Sequence, residues 1–314
     1  MPRTSKANKE EPEDERLKNL DANMIQMIKN EIMGTDLNIT WDDIAGLTHA
    51  KKTMNEIIVQ PIKRPDLFRG LTAPPKGLLL FGPPGTGKTL IGKCIASESQ
   101  ATFFSISAST LTSKWVGEGE KMMRTLFAVA RCHQPAVVFL DEVDSLLTSR
   151  TEGENEASRR IKTEFLVQFE GVGTTFEEDR ILIIGATNRP QEIDEAARRR
   201  FRKRLYIPLP DFEGRLALIK RALRNERNTL SEDDFKEIAQ KTEGYSGSDL
   251  YGLCQEAAFV PLRNVADISS VAKEDVEPIS ISSFNIALTQ IRKSVASSEL
   301  KHYEAWNQEF GSMG

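Results

Sequence analysis

Between residues 41 and 211, short apolar runs alternate with stretches of helical periodicity. Five runs have the length of a strand, and several are apolar at consecutive positions, which is typical of parallel strands covered on both faces. They are GLLLF (77–81), TFFSIS (102–107), AVVFLD (136–141), ILIIGAT (181–187) and RLYIPL (204–209). This alternation predicts an α/β fold, in which a five-stranded parallel sheet with right-handed crossovers carries helices on both faces.

Beyond residue 211 the strand patterns stop and helical patterns continue. Residues 212–296 therefore predict a small all-helical domain that follows the large α/β domain of residues 41–211. Residues 297–314 predict a separate C-terminal helix. Its apolar side chains recur every three or four positions, which favours packing on an apolar surface; they are Leu300, Tyr303, Trp306 and Phe310.

The N-terminal segment has a different composition. Residues 1–16 are charged and nearly free of large apolar side chains, so burial cannot offset the entropy lost on ordering and we expect disorder. Residues 17–40 predict a linker with an amphipathic helix that Gly34 ends. The helical spacing is that of Leu17, Leu20, Met24, Ile28 and Ile32. We expect the chain to be a piece of a longer protein.

Composition narrows the class of protein. The formal net charge of −4 gives no overall attraction to nucleic acid or to an anionic membrane. The three cysteines and three histidines are scattered, which argues against a disulfide framework or a zinc site. No apolar run approaches the length of a membrane span, and the N-terminus has no signal-peptide pattern. We expect a soluble intracellular protein with no membrane partner and no direct nucleic-acid partner.

The clearest chemical motif is GPPGTGKT at residues 82–89, which directly follows a predicted strand and precedes a predicted helix. Its glycines, Gly85 and Gly87, let backbone N–H groups turn toward phosphates. We expect Lys88 to reach the β and γ phosphates of a nucleotide and Thr89 to ligate Mg²⁺. A chance Gly/Pro turn is the alternative, and eight specified residues in a strand–loop–helix context argue against it.

Polar residues also follow two other predicted strands. AVVFLDEVD brings Asp141 and Glu142 to the carboxyl edge of the sheet, where ligands bind in this architecture. We expect Asp141 to bind Mg²⁺ and Glu142 to polarise the attacking water. Helix capping is the alternative for this pair. Asn188 ends ILIIGATN and can hydrogen-bond the γ phosphate or the water, although ordinary turn chemistry is the alternative there.

These three motifs, in this order and followed by a helical domain, resemble those of the AAA ATPases. The resemblance covers nearly all of residues 38–314 and extends to the meiotic clade of that family, the katanin, spastin and fidgetin group. It rests on four long segments besides the motifs: PPKGLLLFGPPGTGKTLIGKCIAS, ATFFSISASTLTSKWVGEGEKM, SRRIKTEFLVQFEG and GATNRPQEIDEAARRRF.

The resemblance implies further nucleotide contacts. In the family, the segment that matches WDDIAGL packs on the adenine, and the segment that matches GYSGSDL opens a helix of the small domain beside the nucleotide. No arginine occupies the second segment, so the sensor arginine of more distant relatives is expected to be absent. The implied nucleotide-binding residues are Asp43, Ile44, Ala45, Gly46, Pro84, Gly85, Thr86, Gly87, Lys88, Thr89, Leu90, Gly247 and Ser248.

EAARRRF at residues 195–201 matches the arginine-finger segment of the family, and the resemblance assigns that role to Arg199 and Arg200. Three adjacent arginines before a strand cannot all face their own nucleotide, so they suit the γ phosphate of a neighbouring copy. An arginine finger contributes about 10³- to 10⁵-fold in rate. A solvated basic run or localisation signal in RRRFRKR is the alternative.

SKWVGEGEK at residues 113–121 is the remaining unusual segment, because a tryptophan stands there between polar residues. In the family an aromatic loop lines the pore of a ring, and Lys114, Trp115 and Val116 match that loop. An aromatic side chain can insert between the side chains of an extended peptide. Ordinary core packing of Trp115 is the alternative. A second pore loop is expected near residues 150–156, where this chain has Asn155 instead of the usual histidine.

The resemblance therefore predicts an ATPase that uses ATP and Mg²⁺, releases ADP and assembles as a homo-hexamer to remodel or thread a protein substrate. It implies a nuclear and cytoplasmic location, association with the spindle, and roles in mitosis or in DNA repair through recombination complexes. A nucleic-acid-dependent motor is one alternative, although the chain lacks a basic and aromatic strip. A slow nucleotide switch is another, against which Glu142 and the arginines argue.

Overall fold

The computed structural model describes residues 14–30, 32–33, 37–113, 118–148, 156–172, 180–265 and 272–312. Its centre is a six-stranded sheet in the order β1-β3-β4-β5-β2-β6. The strands are β1 (Ile32–Met33), β2 (Gly77–Phe81), β3 (Thr102–Ser107), β4 (Ala136–Asp141), β5 (Ile181–Thr187) and β6 (Lys203–Tyr206). Strands β2 to β6 pair in parallel, which confirms the predicted five-stranded parallel sheet.

The described helices flank this sheet and then form the C-terminal part of the chain. They are α1 (Ala22–Asn30), α2 (Thr48–Met54), α3 (Gln60–Lys63), α4 (Lys88–Ser99), α5 (Ala108–Ser113), α6 (Gly119–Cys132), α7 (Asp144–Leu147), α8 (Glu156–Gly171), α9 (Glu195–Arg200), α10 (Phe212–Ala222), α11 (Glu232–Lys241), α12 (Gly247–Arg263), α13 (Ile281–Gln290) and α14 (Ser297–Phe310). A π-helical turn, Asn55–Val59, joins α2 to α3. No helix among these described segments is both long and apolar enough to cross a membrane.

The consecutive apolar residues of the strands divide between two cores, one on each face of the sheet. In β2, Leu79 and Phe81 belong to one buried cluster, whereas Leu78 and Leu80 belong to the other. Successive side chains of a strand point to opposite faces, so a strand that is covered on both sides must be apolar throughout. This requirement explains why the strands lack polar alternation in the sequence.

The helices from α10 to α13 contribute to a third buried cluster, which contains Ile219, Leu253, Phe284 and Ala287. Helices α11 and α12 begin with capping boxes at Ser231 and Ser246, whose side chains accept hydrogen bonds from the backbone three residues later. These helices therefore have their own core, as the sequence predicts for a small helical domain. The boundaries predicted at residues 211 and 296 stay predictions.

The N-terminal part differs from the sequence-based expectation. The helix α1 begins at Ala22 and not near Leu17, because the Asp21 carboxylate accepts hydrogen bonds from the backbone N–H groups of Asn23 and Met24 and so starts the helix there. Residues 14–16 were expected to be disordered, but Glu15–Leu17 form a short 3₁₀ turn that Asp14 caps. Residues 1–13 lie outside the described part.

Two further boundaries need correction. Ile32 is not helical: it lies in β1, which pairs antiparallel with β3 opposite Phe104. The last strand ends at Tyr206 and not at residue 209. Ile207 still donates its N–H to the carbonyl of Phe81 at 2.8 Å, but Pro208 has no N–H to continue the ladder. Gly34, the predicted end of the linker helix, lies outside the described residues.

Candidate functional site

The motif GPPGTGKT at residues 82–89, called the phosphate loop below, forms a tight turn between β2 and α4. Gly85 has a φ of +72°, and a Cβ atom added there would lie 2.8 Å from both Ser246 Oγ and Ser248 Cβ. Only glycine combines this backbone conformation with such close contact. Gly87, with a φ of +86°, is the residue before α4, so the loop delivers its backbone directly to the N-terminus of a long helix. Helix N-termini attract anions.

Lys88 is the first residue of α4, and its side chain turns back into the loop. Its Nζ donates hydrogen bonds to the carbonyls of Gly82 and Pro83 at 2.9 and 2.7 Å, and the residue is only 8% exposed. Burial lowers the pKa of Lys88 to about 8, although the negative charges of Asp141 and Asp144 act in the opposite direction. Lys88 is therefore a buried ammonium group within a loop suited to phosphate.

A hydroxyl and a carboxylate meet beside this loop. Thr89 Oγ1, one residue after the lysine, donates a hydrogen bond to Asp141 Oδ2 at 3.1 Å. Mg²⁺ takes oxygen ligands and is held by one or two protein groups together with phosphates and water. The pair of Thr89 and Asp141 fits this donor chemistry. The described residues include no cluster of three or more His, Cys, Asp or Glu side chains suited to a metal, and Mg²⁺ in such a site needs none.

Glu142 follows the end of β4 in an unusual backbone conformation. Its φ is +50°, in the left-handed region that non-glycine residues rarely adopt, and its side chain is exposed. The turn is held on both sides: Glu142 N–H donates to Asp141 Oδ1 at 2.9 Å, and Val143 N–H donates to the carbonyl of Ala186 at 2.9 Å. Strained residues of this kind cluster at functional sites.

The predicted nucleotide residues line one cleft of about 1210 Å³. The WDDIAGL segment forms one wall, the phosphate loop and the strand ends form the floor, and the start of α12 closes a third side. Those predicted residues are Asp43, Ile44, Ala45, Gly46, Pro84, Gly85, Thr86, Gly87, Lys88, Thr89, Leu90, Asp141, Glu142, Asn188, Gly247 and Ser248. The structure thus brings together segments that are far apart in the sequence.

The WDDIAGL wall is fixed to the rest of the molecule through Asp43. Its carboxylate accepts a hydrogen bond from Thr40 N–H at 2.7 Å and forms an ion pair with Arg221 of α10 at 2.6 Å. The backbone hydrogen bond from Thr40 and the contact with Arg221 lower the pKa of Asp43. Ile44 is buried against the second core, and its carbonyl accepts from Lys51 Nζ. Asp43 therefore holds the wall in place.

The helical domain contacts the phosphate loop directly. Ser248 N–H donates a hydrogen bond to the carbonyl of Gly85 at 3.2 Å, and a Cβ on Gly247 would lie 3.1 Å from the same carbonyl. As predicted, this segment opens a helix, α12, and Ser246 caps it. The start of α12 therefore acts as a lid that contacts the phosphate loop at Gly85.

Arg199 and Arg200 lie elsewhere. They are the last two residues of α9 and line a second groove of about 1010 Å³, formed with residues 68–76, and neither lines the first cleft. The Arg199 side chain is 77% exposed and pairs with Glu195 at 2.5 Å. Arg200 pairs with Glu170 of α8 and donates to the carbonyl of Ala196 at 2.9 Å. The groove has further cationic side chains: Arg69, Lys76, Arg202 and Lys203.

The residues predicted to form pore loops, apart from Glu156 at the end of the second loop, are outside the described part of the chain. Lys114, Trp115 and Val116 follow α5, and the second loop precedes α8, which begins at Glu156. Asn155 is also outside the described part. Their roles stay predictions.

The sequence analysis missed several residues that line the cleft. One group comes from α2, a larger one from β6 and the segment after it, and the remaining residues come from α10 and from the C-terminal end of the chain. They are Thr48, His49, Ala50, Thr53, Leu205, Tyr206, Pro208, Leu209, Pro210, Asp211, Leu218, Asn307 and Ser312. Asn307 stands four residues after Tyr303, on a helix whose periodicity indicates only packing. No motif marks these positions, because the return of α14 to the cleft is a tertiary contact.

A phosphate loop after one parallel strand, carboxylates at the end of another strand two positions away in the sheet, and a helical lid define the class of P-loop nucleoside triphosphatases. Family models agree with this class. The model of the "ATPase family associated with various cellular activities (AAA)" matches residues 78–209, the AAA+ lid domain matches residues 232–278, and the Vps4 C terminal oligomerisation domain matches residues 263–311. The chain belongs to the AAA ATPase family, in its fidgetin, katanin and spastin group.

Similar proteins agree with this assignment. Fidgetin-like protein 1 of Homo sapiens is 59% identical over 302 residues, which cover 96% of this chain and 45% of that protein. Spastin of Dictyostelium discoideum is 50% identical over 298 residues, which cover 95% of this chain and 45% of that protein. The chain thus spans about half the length of the curated relatives it matches.

Solved structures extend the comparison to the fold. A crystal structure of the FIGL-1 AAA domain matches with a TM-score of 0.90 and 52% identity, covering 96% of this chain and all of the other. The same domain in complex with ADP matches with a TM-score of 0.88 and 52% identity, covering 95% and 99%. A structure that addresses katanin self-assembly matches with a TM-score of 0.77 and 35% identity, covering 92% and 97%.

Proposed function

We propose that this chain hydrolyses ATP within a ring of identical copies and uses the cycle to remodel a protein substrate. One observation carries the proposal. The residues suited to bind and hydrolyse a nucleotide share one cleft, whereas Arg199 and Arg200 lie in a separate groove. A site completed by arginines from the next copy explains both facts.

Within one copy, the loop N–H groups and Lys88 bind the phosphates, and the buried ammonium replaces its bonds to loop carbonyls with bonds to phosphate oxygens. Glu142 orients the attacking water and accepts its proton. Asn188 donates an amide hydrogen bond to the γ phosphate or to the water. Thr89 and Asp141 would hold Mg²⁺, which when bound neutralises charge on the phosphates.

The arginines are well suited to act on a neighbouring copy. The pair of Arg199 with Glu195 is exposed, and exposed ion pairs contribute little to stability, so Arg199 can exchange its partner at small cost. In a head-to-tail ring the same groove of every copy meets the cleft of the next, and such a ring closes without leftover surface. Hydrolysis then depends on assembly.

Two comparisons support assembly. The C-terminal residues match a domain described as an oligomerisation domain, and one similar structure addresses self-assembly of katanin. The hexameric state, the grip of Lys114, Trp115 and Val116 on a polypeptide, and the use of Mg²⁺ come from the family resemblance and are part of the proposal. So are the nuclear, cytoplasmic and spindle setting and a substrate related to microtubules or recombination complexes.

Complementation between two inactive variants tests the proposal. Glu142→Gln keeps the arginines and loses the catalytic carboxylate, whereas the double variant Arg199→Ala, Arg200→Ala keeps its own cleft. We expect each alone to lose about 10³-fold or more in turnover, and a mixture of the two to recover a readily measurable fraction. Arg263→Ala, which removes an arginine of α12 that lines neither the cleft nor the second groove, should behave like the wild type.

The dependence on concentration provides a second measurement. Turnover per copy should rise cooperatively with protein concentration and then saturate. Full turnover by the arginine double variant alone, or by dilute monomers, would contradict the proposal. A mixture as inactive as its components would also contradict it.

The second groove keeps one other function open. Its cationic side chains would also suit the backbone of a nucleic acid. A nucleic-acid-dependent motor is therefore the second candidate, and strong stimulation of turnover by DNA or RNA with a steep salt dependence would favour it.

A further inference from the structure

The C-terminal helix α14 reaches the end of β5 beside the cleft. The Tyr303 hydroxyl donates a hydrogen bond to the backbone carbonyl of Asn188 at 2.6 Å, across 115 residues of sequence. Tyr303 is 9% exposed, and its ring stacks on Tyr206 with centroids 6.2 Å apart. Packing therefore fixes the ring, and the hydroxyl is directed at one peptide group.

The same peptide group is held at its other end. Arg189 N–H, which shares the peptide plane with the Asn188 carbonyl, donates to Thr187 Oγ1 at 2.8 Å. Thr187 Oγ1 in turn donates to Asp144 Oδ1 at 2.5 Å, and Thr187 is 1% exposed. Since the peptide group is planar, two hydrogen bonds at opposite ends fix its orientation.

The orientation of this peptide group fixes the backbone from which the Asn188 side chain extends. The residue follows the last position of β5, so the strand ladder no longer holds it, and its side chain is exposed at the cleft. An exposed amide has several rotamers, and its direction depends on how firmly its Cα is held. A change of about 1 Å in the position of such a group can cost up to about 100-fold in rate.

We propose that Tyr303 is a positioning residue for ATP hydrolysis, which acts by holding the Asn188 peptide so that the amide side chain meets the γ phosphate or the attacking water. This inference rests on the function proposed above, because it needs Asn188 to act on the reacting groups. It makes the C-terminal helix a part of the active site, although Tyr303 does not itself touch the nucleotide.

Removal of a single hydroxyl tests the proposal. Tyr303→Phe keeps the ring and its packing, and we expect kcat to fall about tenfold while KM for ATP stays within about twofold. The chain offers a matched control: the Tyr245 hydroxyl also donates to a backbone carbonyl, that of Ile291 at 2.7 Å, within the small-domain core. Tyr245→Phe should shift the melting temperature about as much as Tyr303→Phe and leave kcat unchanged.

A double-variant cycle shows whether Tyr303 acts through Asn188. In an Asn188→Ala background the backbone carbonyl remains but the amide is gone, so Tyr303→Phe should cost less than about twofold in kcat. An equal loss in both backgrounds, or no loss in the wild-type background, would overturn the inference.

The two proposals fail in different ways. If the wild type hydrolyses ATP and Tyr303→Phe has the same kcat, only this inference is overturned. Absence of ATP turnover in the assembled wild-type protein would overturn the proposed function, and the inference with it.

Discussion

At the scale of single residues, Lys88 shows how the site balances burial against charge. A lysine that is 8% exposed has lost most of its hydration, and two backbone carbonyls replace only part of it. Burial therefore lowers the pKa of Lys88 to about 8. The polyphosphate of a nucleotide would reverse this effect, because an anion in contact with the ammonium favours its charged form. Proton uptake and nucleotide binding are thus coupled at this residue.

This coupling predicts a dependence of nucleotide affinity on pH. Only the protonated lysine attracts phosphate, so affinity for a non-hydrolysable ATP analogue should be nearly constant below pH 8. Above pH 8 it should fall by up to about tenfold for each pH unit. Burial raises the pKa of Cys94 and Cys254 to about 12, so these thiols do not titrate in the same range. Titration calorimetry between pH 7 and 9.5 measures the effect.

Stability should change with pH in the opposite sense. The folded state of Lys88 binds fewer protons than the unfolded state between pH 8 and 10.5, so its contribution to the free energy of unfolding rises with pH over that range. Lys88→Ala should bind the analogue weakly and without this pH dependence. Constant affinity of the wild type up to pH 9.5 would show that the pKa of Lys88 is not lowered.

At the scale of secondary-structure elements, α14 connects parts of the molecule that the sheet alone leaves separate. Trp306 packs edge-on against Phe81, the last residue of β2 before the phosphate loop, with ring centroids 4.5 Å apart. At the end of α14, the ring of Phe310 lies under the Arg198 guanidinium of α9, 4.0 Å from the ring centroid. Arg204 of β6 also contacts α9, because its Nη1 donates to the Arg198 carbonyl at 3.1 Å. The same helix thus touches the loop strand and the helix that carries Arg199 and Arg200.

The anchor of α14 can be removed by one substitution. Trp306 is 8% exposed, and Trp306→Ala should lower the free energy of unfolding by about 3–5 kcal/mol, because it leaves a cavity against Phe81. Urea unfolding of the purified protein measures this change. Tyr251→Ala removes an exposed aromatic of α12 and should change stability by less than about 0.5 kcal/mol. Equal effects of the two variants would show that α14 is not anchored through Trp306.

At the scale of the whole molecule, the cleft and the second groove make the surface of one copy asymmetric. The cleft suits a nucleotide, and the second groove holds the exposed Arg199 beside Arg200. In the proposed ring, one copy would therefore meet its two neighbours through two different surfaces. Such heterologous contacts form a ring when the rotation between copies closes. We propose that the segment with Trp115 faces the centre of that ring.

This arrangement predicts binding of an acidic extended peptide. In the Glu142→Gln background with ATP, the assembled protein should bind a fluorescently labelled polyglutamate peptide, because Lys114 supplies charge and Trp115 supplies stacking area. Adding Trp115→Ala should weaken binding by about tenfold or more and leave ATP affinity within about twofold. Fluorescence anisotropy measures binding of the peptide. Phe259→Ala, which removes an exposed aromatic side chain elsewhere, is the control.

The contrary outcome is informative for the alternative interpretation of this tryptophan. If Trp115→Ala binds the peptide normally and instead lowers the free energy of unfolding by about 3 kcal/mol or more, Trp115 is a core residue.

The sequence alone determined the five parallel strands and the local chemistry of the loop. Both follow from short-range requirements: a strand buried on two faces must be apolar throughout, and a phosphate loop needs glycine, lysine and threonine at fixed spacing. The start of α1 and the end of β6 were predicted less well. Each depends on one capping or proline residue, Asp21 and Pro208, which the periodicity of the apolar residues does not reveal.

Only the tertiary structure decided which distant residues meet. It set Arg199 and Arg200 apart from the cleft, brought Asn307 into the lining of the cleft and placed the Tyr303 hydroxyl on the backbone of Asn188. In the sequence, Tyr303 belongs to an ordinary apolar period, and nothing local distinguishes its hydroxyl from that of Tyr245. The physical reason is that a helix period fixes the buried face of α14, whereas the partner of that face depends on how the chain returns across the sheet.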